Sequence, residues 1–194
     1  RSACRRRLDG TGELAEWRDH HVRVLAGLMR SEPGSGRGKA DLALRDLPDE
    51  ISAALDWLET RRSDPRRHLR FVTGFGTIWY STGRIQEARR PMVTATELYP
   101  DADPLSRGMT LAAVGFISFS EGAFADQRRL LSEAIDVLGG DGFPGLEVLA
   151  AARSVVSGDL DGAEENIAVA LRSPVVSGAN RLVALDIGAF VAWK

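Results

Sequence analysis

The sequence predicts an all-α protein, a right-handed superhelix of antiparallel helix pairs, that is, an α-solenoid. Three observations carry this. Apolar residues recur at helical spacing through nearly every segment between turn signals. No segment alternates apolar and polar residues between turns as a half-buried strand would. Small residues at Gly76, Gly115, Ala151 and Gly188 recur at intervals of 39, 36 and 37 residues, and glycine follows the first three seven residues later, at Gly83, Gly122 and Gly158.

The elements follow in order. Residues 11–30 form a first helix that Thr11 can cap, with Leu14, Trp17, His21, Val24, Leu25 and Leu28 along one stripe. A glycine-rich loop follows. The second helix starts at Asp46 or Pro48, with Asp49 and Glu50 where the helix dipole favours anions and Arg61 and Arg62 where it favours cations. Asp64-Pro65 interrupts the chain. Helix pairs are then expected at about Arg66–Thr82 with Ile85–Tyr99, Pro104–Glu121 with Phe124–Leu138, and Pro144–Ser157 with Leu160–Arg172. A last helix is expected at Gly178–Trp193.

The stretch 76–100, GTIWYSTGRIQEARRPMVTATELYP, sets the phase. Gly76 allows close helix approach, Trp79 fills the side and Gly83 makes the turn. Ile85, Ala88, Met92 and Ala95 form the return face, and Pro100 ends it. This is the pattern of a tetratricopeptide-like unit. The second unit matches at Gly115, Gly122, Phe124, Leu131 and Ala134, but has Ser118 for the aromatic, and Gln127 and Gly139 depart. The third matches at Ala151, Gly158, Leu160, Ala163, Ile167 and Ala170. Residues 1–65 then read as helices linking from a preceding domain. Residues 66–194 read as repeats at about 66–100, 101–140, 143–175 and 177–194, the last expected to be cut short.

Composition narrows the function. Apolar residues make up 44% and charged residues 27%, an ordinary globular balance. No run of about 18 apolar residues spans a bilayer, and the single Cys4 suggests a reducing compartment, so a cytoplasmic protein is expected. Net charge is −2, which argues against nucleic-acid binding, although residues 1–100 carry +4 and residues 101–194 carry −6. Pro33 to Ala40 resembles a phosphate-binding loop but has Pro33 where the first glycine belongs and Ala40 where Ser or Thr would meet magnesium. His20 and His21 point about 100° apart on a helix and cannot chelate one ion. His68 stands among arginines without an evident partner. No nucleophile–base pair or metal set is visible, so no enzyme, metal or cofactor is expected in this chain.

Two surfaces remain as candidates. The small-residue phase projects an inner surface of the first helix of each pair. It holds Arg70, Thr73, Thr77 and Tyr80, then Met109, Ala112, Phe116 and Phe119, then Val148, Ala152 and Val155, then Leu182, Leu185, Ala189 and Ala192. The binding set is Arg70, Thr73, Thr77, Tyr80, Met109, Phe116, Phe119 and Val155. Such a groove begins polar and turns apolar, and would take a protein partner, a sibling domain, a second copy of the chain or a hydrophobic small-molecule inducer. The other reading buries these residues as core. The second surface is a basic patch of Arg61, Arg62, Arg66 and Arg67, with Arg70 beside it, read as a solvated bend or a docking face rather than a nucleic-acid site.

The stretch WRDHHVRVLAGL at 17–28, then LPDEISAALDW at 47–57, then the repeats, resembles the repeat half of multidomain bacterial ATPase regulators of the AfsR-like and LuxR type. Arginine-rich composition, with only Lys39 and Lys194, fits a high-GC genome. The sequence departs from the family at Ile51 and Ser52, where Asn and an apolar residue are expected. The resemblance covers about residues 5–138. It implies a signal-integrating module of a cytoplasmic transcriptional regulator, with any ATP bound by a parent domain outside these residues. A general repeat scaffold unconnected to transcription is the alternative.

Overall fold

Aspartates and prolines start the helices. Asp64 Oδ1 accepts from Arg67 N at 2.9 Å, Asp103 Oδ1 from Ser106 N at 3.0 Å and Asp159 Oδ1 from Gly162 N at 2.9 Å. Each carboxylate satisfies an amide that a helix start leaves open. Pro65 and Pro104 stand just after the first two, where a missing N–H costs nothing. The structure is a computed structural model. It describes residues 13–29, 47–81, 83–139, 143, 145–174, 176 and 178–193, except the side chains of Thr77, Tyr80, Ser81, Gly178, Ala179 and Leu182. Cys4, the segment 33–40, Thr11 and Asp46 lie outside the described residues.

Every regular element among the described residues is an α-helix. They are α1 (Glu13–Met29), α2 (Pro48–Arg61), α3 (Pro65–Ser81), α4 (Ile85–Leu98), α5 (Pro104–Ser120), α6 (Phe124–Gly139), α7 (Leu146–Ser157), α8 (Leu160–Arg172) and α9 (Gly178–Trp193). Most boundaries fall within a residue of expectation. The exception is α7, which starts at Leu146 because Gly145 before it adopts a left-handed conformation, φ 106°.

Short turns join α3 to α4, α5 to α6 and α7 to α8, and each pair packs on itself. Gly83, Gly122 and Gly158 have φ of 77°, 73° and 78°, a conformation that a Cβ disfavours. Each second helix also packs on the first helix of the next pair. First helices meet as well, α3 on α5 and α7 on α9, whereas α5 and α7 make no comparably close approach.

Most positions picked by the repeat phase are buried, while Ile85 and Leu160 are half-buried. Ala88, Met92, Ala95, Leu131, Ala134, Ala151, Ala163 and Ala170 are inaccessible to solvent, and Trp79 and Ile167 nearly so. Phe124 departs: it is 53% exposed and sets its ring against Phe119, centroids 5.8 Å apart. One core runs from Val22 and Leu25 of α1, through Phe71, Phe75 and Leu131, to Leu149 and Ala152 of α7. The boundary expected near residue 65 therefore falls within a shared core. A smaller cluster of Val148, Ala170, Val176 and Ala184 closes the C-terminal end.

Candidate binding surface

The residues projected onto the inner surface divide by depth. Ala112, Val148 and Ala152 are core. Thr73, Met109, Phe116 and Val155 are half-buried, and Arg70 is exposed. Phe119 is 43% exposed at the end of α5. Thr77 and Tyr80 lie on α3, but their side chains are outside the description. On α9, Leu185, Ala189 and Ala192 are exposed.

Thr73 serves a seam rather than open surface. Its Oγ1 lies 2.8 Å from Thr110 Oγ1 and donates to the Leu69 carbonyl at 2.8 Å. Thr110 is fully buried and reaches the Ser106 carbonyl at 2.8 Å. These hydroxyls join α3 to α5 where a purely apolar contact would leave no directional bond. Further along α5, Phe116 packs partly on the core while Phe119 and Phe124 remain accessible. On the projected inner surface the accessible aromatic part is therefore at the α5–α6 turn.

The basic residues take separate tasks. Asp19 Oδ1 of α1 accepts from Trp57 Nε1 at 3.0 Å, and Arg67 Nη2 donates to the Asp19 carbonyl at 2.7 Å. Arg67 thereby ties α3 to α1. Arg61 lies 5.5 Å and Arg18 4.9 Å from the centre of the Trp57 ring, so a cation from each of α1 and α2 lies against the same ring. Arg62 closes α2 with φ 49°, its amide donating to the Leu58 carbonyl and its Nε to the Glu59 carbonyl at 3.1 Å. Arg66 and Arg70 point to solvent.

His68 differs from expectation. It is 3% exposed, and its Nδ1 lies 3.1 Å from the Tyr99 hydroxyl. Burial lowers its pKa to about 4 and raises that of Tyr99, so both are uncharged at neutral pH. The partner is 31 residues away, which is why local sequence did not reveal it. The available signal was phase: His68, Phe75 and Trp79 share one stripe of α3. His21, expected on the apolar stripe, instead reaches Glu50 Oε2 at 3.0 Å.

Among the described residues, no group of three or more His, Cys, Asp or Glu is placed to hold a metal ion. No described helix is long and apolar enough to cross a membrane. No family model matches the chain, and no curated protein matches it.

Proposed function

We propose that the helix pairs form a right-handed, tetratricopeptide-like superhelix that acts as a non-catalytic binding module of a cytoplasmic bacterial transcriptional regulator. The repeating small residue, turn glycine and buried return face of 76–100, 115–139 and 151–170 support the superhelix. The observation that carries binding is the accessible aromatic pair Phe119 and Phe124, with half-buried Phe116 one turn earlier on α5. Apolar surface of this kind, next to a place where α5 and α7 stand apart, is matched by an amphipathic helix of a partner or sibling domain. Occupancy would favour one arrangement of the parent regulator over another. The sequence resemblance supplies the link to transcription.

The test is an allele carrying Phe119→Asp and Phe124→Asp, placed at its own locus in the source bacterium. The purified double variant should melt within a few degrees of wild type, because both rings are about half exposed. Transcript profiles should shift towards those of a deletion strain. Wild-type profiles from a normally expressed double variant would refute this reading. A deletion strain with unchanged transcripts would favour the scaffold instead.

A further inference from the structure

A second concavity lies away from the α3–α5 seam. Between α2 and α4, floored by α3, is a cleft of about 360 Å³, within the size range of small-ligand sites. His68 and Trp79 of α3 lie at its base, 3% and 5% exposed. They are three turns apart on one side of the helix, and Thr73 is on another.

Its walls are unusual within this molecule. One pair further on, α4 is bridged to its neighbours: Arg89 reaches Asp126 of α6 at 3.5 Å, and Gln86 donates to Glu121 in the α5–α6 turn at 2.8 Å. Among the described residues, no hydrogen bond or ion pair joins α2 to α4. Asp56 and Glu59, one turn apart on α2, line the cleft, and among the described residues neither carboxylate is in an ion pair. Glu87 also lines it, but its carboxylate is held by Arg84. Pro91 sits inside α4. It has no N–H, so the Glu87 carbonyl lacks its helical donor at the cleft wall. His68 Nδ1 is engaged by Tyr99, and its other nitrogen has no partner among the described residues.

We propose that this cleft holds a small organic cation, a guanidinium or ammonium group on a short apolar stem. The head sits among Asp56, Glu59 and the Glu87 carbonyl, which present acceptors and no competing proton. The stem lies against Leu55 and the Trp79 side of the floor. Arg90, on the opposite wall and in no ion pair among the described residues, meets a carboxylate if the ligand carries one. The class is therefore a basic amino acid or its decarboxylated amine. This inference is independent of the proposed role in transcription.

Calorimetric titration of the whole chain with L-arginine, agmatine and L-citrulline tests it. Citrulline keeps the shape of arginine and loses the charge. Arginine and agmatine should bind, with citrulline about tenfold weaker or worse, as expected for losing contacts to two carboxylates. Asp56→Asn with Glu59→Gln should weaken agmatine about tenfold and leave the melting temperature unchanged, since both side chains are exposed. Glu164→Gln with Glu165→Gln, on α8, should change nothing. Arg90→Ala should weaken arginine and spare agmatine. Citrulline binding as well as agmatine, equal loss in the α8 variant, or no heat from any probe at about 10 mM would overturn the proposal.

Discussion

A Cβ built at Gly76 would lie 2.4 Å from Sδ of Met92, a side chain with no solvent exposure. Glycine here lets α3 and α4 approach more closely than alanine would allow. The same test ranks the other helical glycines. At Gly108 the Cβ would meet Leu138 Cγ at 2.4 Å, at Gly115 Leu131 Cδ2 at 3.2 Å, and at Gly27 nothing within 4 Å. Leu138 is branched where it would collide, and Met92 can swing its thioether. Gly108→Ala should therefore cost most, about 2 kcal/mol, Gly76→Ala about 1 kcal/mol, and Gly115→Ala close to nothing. Gly27→Ala should stabilise by about 0.5–1 kcal/mol through helix propensity. Urea denaturation of the four variants checks the order.

Substitution of the turn glycines isolates backbone strain. A Cβ at Gly83, Gly122 or Gly158 would touch nothing within 4 Å, yet each φ is positive. Alanine at any one should cost about 1 kcal/mol, and asparagine less, because it tolerates this conformation. Equal losses for alanine and asparagine would show that packing, not φ, governs these turns.

The His68–Tyr99 contact predicts a pH dependence of stability. The folded pKa of about 4 lies below the ordinary 6.5, so between these values the unfolded chain binds more protons. Stability contributed by neutral His68 is complete above about pH 6.5, falls as pH drops towards 4, and changes no further below that. The full loss would be about 3 kcal/mol. Chemical denaturation at several pH values should show this slope in wild type and a flatter one in His68→Asn.

Gln127 stands where the other repeat units have alanine. It is 3% exposed, and its Oε1 has no hydrogen-bond partner among the described residues. An unsatisfied buried carbonyl costs about 1–3 kcal/mol. Gln127→Met keeps the volume and removes that carbonyl, so it should raise stability by about 1 kcal/mol. A destabilised methionine variant would mean the amide is engaged in solution.

Arg89 should be sensitive to removal. Its Nε lies 3.1 Å from Glu121 Oε2, and its guanidinium also reaches Asp126, which connects α4 to the next pair. Both Arg89 and Glu121 are largely shielded from solvent. Arg89→Met should cost about 1–2 kcal/mol, more at low salt than in 1 M sodium chloride. A salt-independent loss would point to packing of the aliphatic stem.

Helix positions were legible because each depends on neighbours a few residues away. Asp103-Pro104 starts a helix, Gly158 ends one, and Leu131 and Ala134 share a face, all from local spacing. Depth at the expected groove was not legible. Phe116 and Phe119 are adjacent in the projection, yet one packs on the core and the other stays accessible, because that depends on how α5 stands to its neighbours. The contacts of Arg67 with Asp19 and of His68 with Tyr99 join residues 48 and 31 positions apart, and no periodicity specifies such pairs. Gly108 could have been found: it precedes Gly115 by seven residues, two turns along the same face.

The three glycine turns also bear on how the chain is made. Each closes a hairpin whose two helices are consecutive in sequence, so their contacts span short loops and fold at low entropic cost. A hairpin can form once its own residues have left the ribosome, before the next is synthesised. Its exposed flank then becomes the template on which the following helix settles. Assembly of this kind proceeds from the amino-terminal end, and a slow step at one turn would delay only the hairpins that come after it.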